Sequence, residues 1–232
     1  MKIPITSYGM PQVALLPSII LVAGAVSFFL WPGGWPWVQL TAIVLAAGAL
    51  AFFRDPERQI PDEPDALLAP ADGKVTDIEP VPEAEFIEGP AIRIGIFLSV
   101  LDVHINRSPC AGQVSYIKSH AGKCINAMRW KAASEKNQAN SVGLNCPNHP
   151  AEKVLVKQIT GAIARRIVCG CQVGDKLSKG EKFGMIKFGS RTELFLPVDD
   201  RAEVIVKIGQ TVRAGSTVMV RYENTTVRTL QA

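Results

Sequence analysis

Between Lys2 and Arg54 the chain has no Asp, Glu, Lys, Arg or His, a run of 51 residues in a protein that is 20% charged overall. A solvated domain carries charge on its exposed faces, so this run argues against a free soluble N-terminal region. The five cysteines stand at 110, 124, 146, 169 and 171, and no CxxC occurs. A zinc site and a disulfide framework are therefore not indicated, and reduced thiols are the plain reading. The sequence also lacks a P-loop, a GxGxxG and a GxSxG. That removes the usual nucleotide-binding signals and the common serine-hydrolase signature. No aromatic-plus-basic motif suggests nucleic acid.

Two apolar runs fill the uncharged region, Val13–Trp31 and Trp37–Phe53. As helices they would span about 28 and 25 Å, close to a hydrocarbon core of about 30 Å. Pro32-Gly33-Gly34-Trp35-Pro36 between them is a turn signal, and three tryptophans flank it as interfacial anchors do. Basic residues lie at both ends and none in the connection, which predicts both ends on the cytoplasmic side of the cell membrane. The runs are short enough for a hairpin that only dips into one leaflet. A buried hairpin of a soluble fold is the bland alternative.

Net charge is +4, but it is unevenly spread. Residues 54–90 hold 11 acids and 3 bases, whereas residues 91–232 hold 21 bases and 10 acids. A basic body behind an apolar anchor fits an anionic lipid surface. The expected organisation is a membrane-associating helical hairpin (1–53), an acidic, Pro-rich connector (54–70) and a β-rich domain (71–232). In the last, eight short segments read as strands: 74–78, 91–98, 113–119, 153–160, 162–169, 192–197, 202–208 and 216–222. Residues 127–137 read as helix or loop. The fold class is therefore mainly β, α+β overall, of sandwich or barrel type. A repeat supports this: Val173-Gly174-Asp175-Lys176-Leu177-Ser178-Lys179-Gly180 matches Ile208-Gly209-Gln210-Thr211-Val212-Arg213-Ala214-Gly215. The shared [VI]-G-x-x-[LV]-x-x-G is a turn-and-plug pattern similar to the hairpins of lipoyl-like domains.

Several short motifs occur in a telling order: Phe52-Phe53-Arg54-Asp55-Pro56-Glu57-Arg58, Pro70-Ala71-Asp72-Gly73-Lys74-Val75, the stretch Ile96 to Gly112 containing Leu101-Asp102-Val103-His104-Ile105-Asn106-Arg107, Ala133-Ser134-Glu135-Lys136-Asn137, and Phe188-Gly189-Ser190-Arg191-Thr192. Each is weak alone. Together, behind an apolar N-terminus, they resemble the short bacterial and archaeal form of phosphatidylserine decarboxylase proenzymes. The resemblance implies autocatalytic serinolysis at Gly189-Ser190, giving a β chain of residues 1–189 and an α chain of residues 190–232. It implies that Ser190 becomes a covalent pyruvoyl cofactor, which forms a Schiff base with the substrate amine, so that neither pyridoxal phosphate nor a metal is required. Phosphatidylserine in an anionic membrane would be converted to phosphatidylethanolamine, in phospholipid biosynthesis. The two chains would stay together as a heterodimer, with higher assembly left open.

By the same resemblance Asp72 serves self-cleavage, as a base or as the orienter of one, and His104 is catalytic. On residues alone, Asp72-Gly73 reads as a hairpin turn and a lone His as structural. Longer bacterial members carry a second His where this chain has Arg107. That departure leaves the division of roles between Asp72 and His104 open, and lets Arg107 be a candidate for the substrate carboxylate or phosphate. Thr192 is a second substrate-site candidate, with a strand Thr as the alternative. His120 and His149 read as structural or exposed, and Cys169-Gly170-Cys171 as a strand end. A non-enzymatic, membrane-anchored lipoyl-like binding or adaptor domain is the competing reading, but it lacks heptads and a modifiable Lys at a hairpin tip. A diacyl and an ether-linked serine lipid would present the same headgroup chemistry.

Overall fold

The computed structural model describes residues 5–31, 35–123, 125, 127, 130–161, 166–187 and 190–223. The chain divides into two compact units, residues 1–57 and 58–232. In the first, a 3-10 turn (Ser7–Gly9) leads into helices α1 (Met10–Leu30) and α2 (Trp35–Phe52). At 1.5 Å per residue these are about 32 and 27 Å long. The stretch Gln12–Leu30 is long and apolar enough to cross a membrane, and Pro36–Phe52 is a shorter apolar helix. Leu15, Ile19, Val22, Val26, Phe29, Leu40, Ile43, Val44 and Leu45 are exposed, an outer surface suited to lipid rather than water. The few polar side chains bond to helix carbonyls: Ser18 to Ala14 (2.8 Å), Thr41 to Trp37 (2.8 Å), and Gln39 to Gly24 of the other helix. Such internal satisfaction is what a medium without hydrogen-bond partners demands.

The second unit is mainly β. Its strands are β1 (Ala66–Leu68), β2 (Gly73–Glu83), β3 (Gly89–Leu98), β4 (Ile105–Arg107), β5 (Gly112–His120), β6 (Ala139–Cys146), β7 (Glu152–Ile159), β8 (Arg166–Cys169), β9 (Lys176–Leu177), β10 (Lys182–Lys187), β11 (Ser190–Pro197), β12 (Ala202–Val204), β13 (Thr211–Val212) and β14 (Val218–Tyr222). One helix, α3 (Trp130–Lys136), falls in the segment read as helix or loop. Eight strands form a curled sheet in the order β13-β2-β3-β11-β7-β6-β5-β9. Two three-stranded sheets, β4-β10-β8 and β1-β14-β12, complete the unit.

The curl follows from the repeat. One copy supplies β9 at one edge of the large sheet and the other supplies β13 at the opposite edge. The second turn of each copy ends on a glycine with positive φ, 75° at Gly180 and 70° at Gly215. A Cβ on Gly215 would lie 3.6 Å from the Gly180 Cα and 2.9 Å from Arg107 Cδ. The two edges therefore converge where only glycine fits.

Alternation sorts the side chains of β11 and its neighbours onto two faces. One face builds the core from Ile94, Ile96, Leu98, Val142, Leu144, Val154, Val156, Leu194 and Leu196. Each such side chain contributes roughly 1.5–3 kcal/mol by leaving water. The other face buries charge. Arg191, with no exposed surface, donates from Nη2 to both Asp77 oxygens (2.8 and 2.6 Å), from Nε to Glu193 (2.8 Å) and from Nη1 to Thr76 (2.6 Å). A register shift at Thr76 lets Asp77, rather than Thr76, oppose Gly95. This bulge re-aims Asp77 under the guanidinium. Gly95 is required there, because a Cβ would occupy the space of Arg191 Nη2 and Asp77 Oδ2. Gly95→Ala should cost about 3 kcal/mol or more by splitting a buried ion pair, read as a lowered urea midpoint with an unchanged m-value.

Candidate active site

Ser190 opens β11, where it pairs with Leu98 at the end of β3. It is fully buried, and its Oγ has no hydrogen-bond partner among the described residues. An unpaired buried hydroxyl costs about 1–3 kcal/mol, so one that persists asks for a reason. Thr192, two residues on, shares its face of the strand. Gly189 lies outside the described residues.

The Thr192 hydroxyl is held by a chain of buried amides. Asn106 Nδ2 donates to Thr192 Oγ1 (3.1 Å) and to the Pro70 carbonyl (3.3 Å). Gln158 Nε2 donates to Asn106 Oδ1 (2.8 Å), Asn140 Nδ2 to Gln158 Oε1 (3.0 Å), and Ser119 Oγ to Asn140 Oδ1 (3.0 Å). Every amide in the chain is both donor and acceptor, so its orientation is fixed from end to end.

His104 precedes β4 and is wholly buried. Its carbonyl accepts the Ile186 N–H (3.1 Å), which puts its backbone against β10 four residues before Ser190. Its Nδ1 lies 2.9 Å from the Asp102 carbonyl. A carbonyl only accepts, so Nδ1 carries a proton and Nε2 is the basic nitrogen of the neutral ring.

Asp72 lies just before β2, at the same end of the large sheet as Leu98 and Ser190. Its carboxylate accepts from Arg58 Nη2 (2.7 Å) and the Ala214 N–H (2.8 Å). Burial nevertheless raises its pKa, outweighing the Ala214 and Arg58 contacts, and the nearby Asp102 charge adds to the rise. Asp72-Gly73 is thus a strand opening rather than the hairpin tip that the dipeptide suggests, since β2 runs on from Gly73 to Glu83. Asp72, His104, Ser190 and Thr192 are gathered at one end of the unit.

Arg107 is placed differently. Alternation along β4 turns it away from Asn106, and its Nη1 donates to the Gly180 carbonyl (3.0 Å). It tethers the junction of the two repeats. Of the remaining histidines, His120 lies 3.4 Å from Glu85, and buried His149 accepts from the Ala151 N–H (3.1 Å) with burial holding its pKa down at about 4. Cys169 and Cys171 have sulfurs 3.6 Å apart, and no group of three or more His, Cys, Asp or Glu that could hold a metal is found among the described residues.

Sequence reasoning missed Arg58, Asn106, Asn140 and Gln158. For the three amides the local signal is polarity inside strands that are otherwise core-facing, such as Gln158 among Val154, Val156 and Ile159, whereas Arg58 lies in the connector before β1. Asn106→Leu should strip the Gln158 amide and the Thr192 hydroxyl of their bonds to Asn106 together, while the Pro70 carbonyl keeps the Arg107 N–H (2.9 Å). A loss of about 2–4 kcal/mol is expected, with urea denaturation as the measurement.

A family model described as phosphatidylserine decarboxylase matches residues 45–220. A phosphatidylserine decarboxylase proenzyme from Rhodopirellula baltica is 41% identical over 223 residues, covering 96% of this chain and 90% of that one. The protein of the same name from Carboxydothermus hydrogenoformans is 43% identical, covering 88% and 90%. That from Symbiobacterium thermophilum is 46% identical, covering 72% and 76%. With more than half of the chain matched by the model and relatives this similar over three quarters or more of their length, the chain belongs to the phosphatidylserine decarboxylase family, a family of carboxy-lyases.

Proposed function

We propose that this chain is a self-processing proenzyme that matures into a pyruvoyl-dependent decarboxylase, converting phosphatidylserine to phosphatidylethanolamine. The observation that carries the reading is the buried Ser190 Oγ at the first residue of β11, without a hydrogen-bond partner among the described residues. It is a nucleophile kept from water and from competing partners, with His104 and Asp72 at the same end of the unit.

In processing, Ser190 Oγ attacks the carbonyl carbon of residue 189. The new C–O bond replaces the amide C–N bond, and the hydroxyl proton passes to the departing nitrogen, leaving an ester. Removal of the Ser190 Cα proton then breaks Cβ–Oγ and frees residue 189 as a carboxylate. The dehydroalanine left at position 190 takes up water and loses ammonia to become the pyruvoyl group. Asp72 serves these proton transfers, since a carboxyl whose pKa is raised by burial both accepts and returns a proton more evenly than an exposed one. Thr192, fixed by Asn106, keeps a hydroxyl proton to aim at developing negative charge.

The mature group supplies an electron sink for the carbanion that loss of CO₂ leaves. The chain's residues do the rest. Buried walls exclude water, and His104, with Nε2 as its basic nitrogen, returns a proton to the substrate carbon. The apolar first unit holds the protein at the bilayer, with the catalytic unit on the cytoplasmic side. Residues 1–189 and 190–232 remain associated through β11, which lies between β3 and β7.

Intact-mass analysis of purified protein should show two chains split at 189/190, and Ser190→Ala should give one chain of 25.1 kDa. A fully active preparation of the uncut mass would overturn the reading. The processing rate should rise with pH through the raised pKa of Asp72, since only the carboxylate is a base. Arg58 holds that pKa down, so Arg58→Gln should move the rising limb to higher pH, measured as cleavage rate against pH.

A further inference from the structure

Between the end of β3 and His104 the chain makes a tight turn, Ser99-Val100-Leu101-Asp102. Turn tips usually carry Gly, Asn, Asp or Pro. This tip carries a Val that is 48% exposed and a Leu that is 81% exposed. Single exposed apolar residues are ordinary, but an adjacent pair at the apex of a turn gives up burial twice. The turn is also closed on itself. Asp102 Oδ2 accepts the Ser99 N–H (2.7 Å), Ser99 O accepts the Asp102 N–H (3.0 Å), and Ser99 Oγ accepts the Leu101 N–H (3.3 Å). With these amides bonded internally, the tip can leave water without orphaning them. The Asp102 carboxylate is drawn into the turn rather than projected from its apex.

Strand register brings exposed cations to the same end of the sheet. Lys74 opposes Phe97, one residue before Leu98, and Arg213 follows Val212, the partner of Gly73. Both are exposed. An apolar tip beside two exposed bases complements an anionic phospholipid surface, with acyl chains for the tip and phosphates or carboxylates for the bases.

We propose that Val100 and Leu101 dock into an anionic bilayer and that this contact delivers the lipid headgroup to the site. The inference rests on the decarboxylase reading above and adds the point at which substrate enters. The coupling is through the chain itself. Asp102 supplies the carbonyl that fixes the His104 ring, so the residue that closes the docking turn also orients the site histidine.

The test uses the full-length processed protein with two substrates: vesicles of phosphatidylcholine with phosphatidylserine, and monomeric dihexanoylphosphatidylserine. Val100→Asp/Leu101→Asp should lower the ratio of kcat/KM on vesicles to kcat/KM on the monomeric lipid by about tenfold or more, as expected for loss of two inserted side chains. In the native protein, hydrogen exchange across residues 98–104 should slow when anionic vesicles are added, and much less with phosphatidylcholine alone. An unchanged ratio overturns the proposal. An equal fall on both substrates also overturns it, making the turn a support for His104 only. Should the double variant fail to fold or process, the native exchange measurement decides, and no protection overturns docking. A native protein that decarboxylates neither lipid yet shows protection would refute the decarboxylase reading and keep the docking surface.

Discussion

A guanidinium buried one residue after the proposed nucleophile is the constraint on which the catalytic unit depends. Arg191 has no exposed surface, so its charge must be answered inside the protein. The answer comes from β2 through Asp77 and Thr76 and from β11 itself through Glu193, with space conceded by Gly95 on β3. Ser134 of α3 adds a further bond to Glu193. Three strands and a helix are thereby tied to one register. A slip of β11 by a single residue would place Arg191 in the aliphatic core and Ser190 on the charged face. The ion network thus decides which way the Ser190 hydroxyl points.

The opposite face of β11 is organised by neutral polarity instead. Asn106, Gln158 and Asn140 form a directed chain ending on Thr192, and none of them carries charge. This division has a chemical logic. Charge close to Ser190 would bias its ionisation and solvation throughout, whereas amides hold geometry without doing so. Asp72, by contrast, is balanced between burial, which raises its pKa, and its contacts with Ala214 and Arg58, which lower it.

Much of this architecture is legible in the sequence, but unevenly. The repeat with its paired glycines shows where the chain turns, and the uncharged run marks the two apolar helices. Strand β6 escapes notice because only Asn145 of its eight residues is exposed while Asn140 and Ser141 are buried, so no alternation survives. The bulge at Thr76 is equally invisible, since its sole function is to turn Asp77 toward an arginine 114 residues away in sequence. Ser190, Asp72 and His104 could be named as candidates from local motifs and the family resemblance they carry. Asn106 and Gln158 could not be assigned, because their role exists only once β4 and β7 have been brought together, 52 residues apart.

The same contrast explains Arg107. By the family resemblance it stands where longer members carry a second histidine, which invites a catalytic or substrate role. In the fold, its neighbour Asn106 faces Thr192 while Arg107 reaches the carbonyl of Gly180. Its stem lies against the position where Gly215 lacks a side chain. A guanidinium suits that place for reasons unrelated to proton transfer. It is permanently charged, it presents several donors in one plane, and its aliphatic stem fills the gap between two turns. Arg107 is thereby engaged in closing the curled sheet, and in the proposed mechanism proton handling falls to Asp72 and His104, with Arg58 as the cation bonded to Asp72.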